Sequence, residues 1–404
     1  MGRRGTPAKQ NCEGLTGVSA YMTGINPGRI HAARETAPLC PRGSVDRRIV
    51  VTLMLLLSVG LVTLFSASYY GASAEGRPFD TVAKQLLGVA MGLVALIALA
   101  NFPYWQLKRP IVVGGLLILS FALLVLVAIP GIGRVVNGSR RWLYLGPLSV
   151  QPSEIAKFAV VLFMATALTN IGRRIEKLVT GICPLMLIPG TAFLLILMQP
   201  NLSTAGSIII VSIVMVLAAG AKWRHLGLMG IAGAVLAAYY AWSEPYRRER
   251  LLSFRDPFAK LSDEGYQLSQ SLLAFGSGGL FGMGLGRGRQ KFGFLPYPES
   301  DFIFAVVGED MGLVGCVAVL GLFLAFIYFG LRVAMNCPDR FGSLLAAGIT
   351  LMIGIQAFMN VAVVIGLMPT TGLPLPFFSA GGTSVSIFMG AVGILLNISR
   401  YTNC

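Results

Sequence analysis

Histidine is nearly absent. His31 and His225 are the only two in 404 residues, and neither lies near a group of carboxylates, which speaks against histidine-centred acid–base chemistry. Cysteine is sparse and scattered, at 12, 40, 183, 316, 337 and 404, with no CxxC pair. Neither a zinc site nor a disulfide framework is indicated, and small inert apolar residues are the simplest reading. Charge is also scarce. Asp, Glu, Lys and Arg make up 12% of the chain, about half of the ~25% usual in a soluble domain. Apolar sequence stands in its place, at 55% of all residues.

An uncharged apolar run of about 18 residues or more is a candidate to cross a membrane. Such runs cover residues 49–74, 85–107, 111–133 and 226–243. Two longer runs, 178–221 and 341–399, are each interrupted once, by "QPN" at 199–201 and by "PTTGLPLPFFSAGGTS" at 369–384. These runs predict an all-α polytopic integral membrane protein with ten transmembrane helices. The helices are expected near 49–71, 82–102, 110–130, 151–171, 182–199, 202–220, 225–243, 302–332, 341–366 and 380–399, with a large outer loop, 244–300, between helices 7 and 8. Within that loop, 265–286 is uncharged, but six glycines from Gly276 on predict a bent, partly inserted segment rather than a plain span. Residues 1–48 are basic, rich in Gly and Pro and lack apolar periodicity. They read as a disordered cytoplasmic tail ahead of a membrane domain at 49–404.

Cations set the orientation. With the N-terminus inside, each short inner connection carries Lys or Arg: "KR" at 108–109, "RRIEK" at 173–177 and "KWRH" at 222–225. An even span count puts both termini in the cytoplasm. Two outer segments break the rule. Loop 131–150 holds Arg134, Arg140 and Arg141, and loop 244–300 holds Arg247, Arg248, Arg250, Arg255, Lys260, Arg287, Arg289 and Lys291. Wrong-side cations fit either anionic lipid headgroups or a phosphate or pyrophosphate ligand held by charge-assisted bonds.

Acids inside apolar helices are costly and are functional candidates. Glu154 and Lys157 open the fourth helix at i,i+3 spacing, which lets them pair on one face, for structure or for chemistry. The stretch "FLPYPESDFIFAVVGED" (294–310) places Asp301, Glu309 and Asp310 within ten residues. Ser300 reads as the N-cap of helix 8 with Asp301 in its first turn. Capping does not explain Glu309, which would lie about 12 Å further along that helix, within about 80° of the face of Asp301. A surface carboxylate, a second one below it and a basic outer loop resemble either a reaction centre or a translocation path.

Four stretches carry a family resemblance: "NGSRRWLYLGPLSVQPSEIAKFA", "QPNLSTA", "YQLSQSLLAFGSGGLFGMGLGRGRQKFGFLPYPESDFIFAVVGED" and "GLMPTTGLPLPFFSAGGTSVSIFMGAVGILLNISR". In this order, across nearly all of 49–400, they resemble the SEDS family (shape, elongation, division and sporulation) of peptidoglycan polymerases. "PTTGLPLPFFS" leans toward its FtsW and SpoVE branch. The resemblance implies ten spans, polymerisation of lipid II, and a class B penicillin-binding protein as partner, with other division proteins nearby. It implies neither nucleic acid nor an organic cofactor. The family's essential aspartate falls on Asp301, its Arg–Trp pair on Arg141 and Trp142, and its helix-4 acid and base on Glu154 and Lys157. The chain departs from the usual motifs at Glu299 (for His), Asp310 (for Glu), Asn201 and Ser203 (for Asp and Gly) and Ala380 (for Tyr).

The implied chemistry fits the layout. A sugar hydroxyl attacks the anomeric carbon of a polyprenyl pyrophosphate-linked disaccharide, and pyrophosphate leaves. Asp301 is the expected general base. Arg141, Trp142, Lys157, Arg247, Arg248, Arg289 and Lys291 are the expected substrate contacts, and a divalent cation, Mg²⁺ or Mn²⁺, would share the pyrophosphate charge. Glu154, Glu309 and Asp310 are expected to support the helices. Two alternatives stay open on the residues alone. One is a lipid II flippase using the intramembrane charges as a path. The other is a scaffold for division proteins. The expected location is the bacterial cytoplasmic membrane.

Overall fold

The computed structural model describes residues 42–402 except 75, 137–138, 146–147, 243–253, 255 and 259–263. Most of the expected tail, up to residue 41, therefore lies outside the described residues, as do Arg247 and Arg248. Residues 42–46 have no regular structure, and the first helix starts at Arg47.

Eleven α-helices follow among the described residues: α1 Arg47–Ala74, α2 Asp80–Asn101, α3 Pro110–Ala128, α4 Pro152–Asn170, α5 Cys183–Leu197, α6 Leu202–Ala218, α7 Trp223–Trp242, α8 Glu264–Gly278, α9 Ile303–Asn336, α10 Arg340–Val364 and α11 Gly382–Ser399. Among the described residues, eight helices are long and apolar enough to cross a membrane: α1 to α4, α5 with the helical turn before it (Leu178–Leu197), and α9 to α11. The protein is a multi-pass membrane protein. Each of the ten expected spans coincides with a helix. However, α6 has 17 residues and α7 is not among the eight. Apolar side chains such as Val94, Ile111, Ile118 and Leu187 face outward, as they would toward lipid tails. By contrast, α10 and α11 are mostly enclosed.

Small residues let helices approach. A Cβ on Gly88 of α2 would lie 2.3 Å from the Gly382 backbone of α11, and one on Gly393 of α11 would lie 2.5 Å from the Leu96 carbonyl of α2. The hydroxyl of Ser386 donates to the Gly88 carbonyl at 2.7 Å along the same seam. Close backbone packing and hydroxyl bonds of this kind replace the hydrophobic drive that lipid does not supply. One end of the bundle gathers the start of α1 and the ends of α2 and α11, through Asp46 N–H to Ser399 Oγ at 3.1 Å and Arg42 to Asn101 at 2.9 Å. Here burial pushes the Tyr104 phenol up from its ordinary value.

The opposite end differs from expectation in three places. Loop 131–150 is not irregular. It forms a three-stranded antiparallel sheet, β1 Arg134–Val136, β2 Ser139–Leu145 and β3 Leu148–Val150, in the order β1-β2-β3, with Val136 opposite Ser139 and Leu145 opposite Leu148. Alternating aromatic and aliphatic residues in "SRRWLYL" favour a pleated strand over a loop. Residues 264–278 form a helix, α8, and only the remainder of the glycine-rich stretch is a loop. Helix α9 breaks at Gly312, whose backbone (φ 65°, ψ −164°) leaves the helical region.

That break explains the glycines. The loop after α8 lies in it and pairs with the backbone groups it frees. Met283 and Gly284 donate to the carbonyls of Glu309 and Asp310 at 2.9 and 3.0 Å, and Leu313 and Val314 donate to Gly279 and Leu280 at 2.9 and 3.1 Å. Buried peptide groups must be satisfied this way where no water reaches. The contact is backbone to backbone, so side chains are excluded: a Cβ on Gly282 would sit 2.3 Å from the Asp310 carbonyl.

Candidate functional site

Asp301 lies in the turn before α9, not in its first turn. The helix starts at Ile303 with Phe302 at the cap position and no side-chain cap, so Ser300 is not the N-cap; its hydroxyl donates instead to Asp301 Oδ1 at 3.1 Å. The reason is tertiary. Three successive carbonyls are bound by residues from α10 and the 367–381 loop: Glu299 O accepts from Ala380 N–H (2.8 Å), Ser300 O from Ser379 Oγ (2.6 Å) and Asp301 O from Asn360 Nδ2 (2.8 Å). Carbonyls held outward cannot begin a helix.

Arg141 reaches this place from β2. Its Nε donates to Gln199 O at 3.2 Å and its Nη2 to Pro200 O, which joins the sheet to the turn before α6. Asn201 caps α6 by accepting from Thr204 N–H at 3.3 Å, so the departure from Asp keeps the capping function. The third guanidinium nitrogen and the Asp301 carboxylate both approach Gly372. A Cβ on Gly372 would lie 3.3 Å from Asp301 Oδ2 and 3.5 Å from Arg141 Nη1, so carboxylate and guanidinium flank one glycine. Arg141 is the extra residue of a bulge in β2, between Arg140, which pairs with Val135, and Trp142, which pairs with Arg134, and a bulge of this kind re-aims the side chain that it carries.

Glu154 and Lys157 meet, with Nζ 2.8 Å from Oε1, and both are buried. Lys157 also donates to Gln356 Oε1 and lies 5.3 Å from the centre of the Phe388 ring. Gln356 in turn donates to Pro374 O at 2.8 Å. The ion pair is thus linked, through α10, to the loop that borders Asp301.

The structure separates Glu309 and Asp310 from this group. Both precede the Gly312 break and serve the glycine-rich loop rather than a polar path down the helix. Glu309 is fully buried and accepts the Arg289 and Gln290 N–H groups at 2.6 and 3.0 Å. Asp310 accepts from Lys291 Nζ at 2.7 Å and from Ser66 Oγ at 2.5 Å. Lys291 is buried in that pair, so its charge is neutralised by Asp310. The Arg289 side chain is exposed at the rim of a cavity of about 370 Å³ lined also by Leu272, Gly276, Met283, Gln290 and Glu309.

Sequence reasoning missed five buried polar residues: Gln85, Gln356, Asn360 and Ser379, which bind loop carbonyls near the site, and Gln199, whose amide donates to Leu124 O of α3 at 2.9 Å. Gln356 and Asn360 did carry a signal, since two amides at i,i+4 in an apolar helix are as unusual as the charges that drew notice.

Residues 46–404 match the model of a family described as "Cell cycle protein", FtsW/RodA/SpoVE. The chain belongs to this family. Among relatives, the stage V sporulation protein E of Bacillus subtilis (strain 168) is 42% identical over 366 residues, 89% of this chain and 98% of that protein. A probable peptidoglycan glycosyltransferase FtsW of Saccharophagus degradans is 40% identical over 368 residues, 89% and 93% of the two chains. Among solved structures, a chain of a peptidoglycan synthase complex that coordinates polymerization and crosslinking aligns with a TM-score of 0.75 at 30% identity, covering 89% of this chain and 98% of that one. The rod shape determining protein RodA of Thermus thermophilus aligns with a TM-score of 0.65 at 28% identity, covering 89% and 98%. In this FtsW/RodA/SpoVE chain the stretches that carry the resemblance meet at one end of the bundle: "SRRWLYL" as β2, "QPN" under Arg141, and "PTTGLPLPFFSAGG" around the Asp301 turn.

Proposed function

We propose that this protein is a peptidoglycan glycosyltransferase that polymerises lipid II into glycan strands, with Asp301 as general base and Arg141 as the fixed cation for the leaving group. One observation carries the reading: Asp301 Oδ2 and Arg141 Nη1 face the same side-chain-free position at Gly372. The acceptor hydroxyl gives its proton to the Asp301 carboxylate as its oxygen bonds to the anomeric carbon. The bond from that carbon to the pyrophosphate oxygen breaks, and its electrons stay on the pyrophosphate. Arg141 is pre-oriented by two carbonyls and meets the growing negative charge without reorganising. The names of the relatives support the same activity.

Ten spans, cytoplasmic termini and an outer placement of the site complete the proposal, since the Arg-bearing segments then meet a substrate presented on the outer face. Trp142, Arg247, Arg248 and Arg289 are proposed substrate contacts. Among the described residues there is no group of three or more His, Cys, Asp or Glu that could hold a metal ion. Mg²⁺ or Mn²⁺ would be held by Asp301 together with the substrate phosphates, where it would share the pyrophosphate charge. A class B penicillin-binding protein is the proposed crosslinking partner, within a cell-division assembly.

The test is strand polymer formed from lipid II by purified variants. Asp301→Asn keeps the side-chain size and the backbone bonds, so it should fold, while polymerisation falls by about 10²–10⁴, the usual contribution of a general base. Asp301→Glu should also be badly impaired, because displacement by about 1 Å matters at a reacting centre. Near-normal polymer from a folded Asp301→Asn protein would end the assignment.

A further inference from the structure

We infer that Asn360 is a positioning residue for the reaction: its single amide sets the spacing between the Asp301 turn and the Gly372 loop. The inference rests on the proposed role of Asp301 as the reacting carboxylate. Asn360 is 1% exposed, on the α10 face that also carries Gln356. Its Nδ2 donates to Asp301 O at 2.8 Å and to Leu373 O at 2.7 Å. The first acceptor belongs to the residue whose carboxylate is proposed to react. The second is adjacent to Gly372, the position that Asp301 Oδ2 and Arg141 Nη1 both face.

The chemistry requires an amide. Two carbonyl oxygens converge on one atom, so that atom must offer two hydrogens in fixed, divergent directions, which a primary amide nitrogen does and a hydroxyl cannot. A carboxylate would set like partial charges against both carbonyls, and an ammonium would bring a charge into a buried place. The ties from Ser379 and Ala380 to Ser300 and Glu299 come from the 367–381 loop itself, so they would move with that loop. Asn360 instead refers both segments to α10, an enclosed helix. Gln356, one turn earlier, fixes Pro374 to the same helix and accepts from Lys157, so the Glu154–Lys157 pair and the Asp301 turn share one rigid reference. Asn360 reaches the reacting groups only through the backbone.

The full-length protein in detergent, supplied with lipid II over a concentration range, tests this. Asn360→Ala removes both donors; Asn360→Ser keeps one and carries the test if the alanine variant does not fold. We expect the maximal rate to fall about 10- to 10²-fold, the scale of a displacement near 1 Å, with the half-saturating concentration little changed. In the same samples, carbodiimide labelling read by mass spectrometry should find Asp301 modified faster than in wild type, while buried Glu309 and Asp310 stay protected. A folded variant with the wild-type rate would overturn the inference. So would a loss confined to half-saturation, unchanged labelling of Asp301, or labelling of Asp310 and Glu309 alongside it, which marks general loosening. Failure of the underlying reading looks different: Asp301→Asn would itself keep polymerising. An inactive Asp301→Asn beside wild-type-like Asn360 variants would end this inference alone.

Discussion

Replacing Lys291 by Met should unlatch the glycine-rich loop from helix α9. Lys291 Nζ lies 2.7 and 2.9 Å from the two Asp310 oxygens and 2.7 Å from Ser66 Oγ, all out of contact with solvent. An exposed pair would be worth about 0–1 kcal/mol. Here the methionine stem keeps most of the packing, and the loss is that of a buried carboxylate left with a hydroxyl as its partner, about 3–5 kcal/mol. The double variant Lys291→Met/Asp310→Leu removes both charges at similar volume, and such replacements of buried pairs are commonly neutral or better. It should regain most of the lost stability. The assay is the melting temperature of each purified variant in detergent beside its polymer yield at saturating lipid II. If the pair is a latch, activity returns with stability. A Lys291→Met protein that melts like wild type would refute the energetic argument. A double variant that regains stability but not activity would return Lys291 to the substrate.

Two further outcomes follow from the geometry. Arg141→Lys gives up the fork that grips Gln199 O and Pro200 O; losing a charged hydrogen bond worth about 1.5–3 kcal/mol should lower the polymerisation rate about 10- to 100-fold in a folded protein, and an unchanged rate would remove Arg141 from the site. Gly282→Ala puts a Cβ on a backbone with φ +82° and 2.3 Å from the Asp310 carbonyl. The left-handed backbone alone costs about 1–2 kcal/mol, so the variant should melt lower, whereas an unchanged melting curve would contradict the inserted loop.

Composition and run length were sufficient for the membrane class, because a chain in lipid must satisfy its peptide groups within helices and those helices must be apolar for about 20 residues. The pairing of Glu154 with Lys157 was legible from i,i+3 spacing, and a bent insertion was legible from the glycines after Gly276. These are short-range rules, and each reads within one or two turns of chain. What the chain's local pattern could not reveal was which distant groups would claim each polar atom. Lys291 reads as an outer cation until Asp310 and Ser66 close on it. Ser300 reads as a helix cap until Ser379, 79 positions on, takes its carbonyl. Asn360 reads as one amide in an apolar helix until Asp301, 59 positions away, and Leu373 converge on it. Water competes for none of these buried groups, so each must find a partner inside the fold, and the identity of that partner is settled only when the helices and loops have packed.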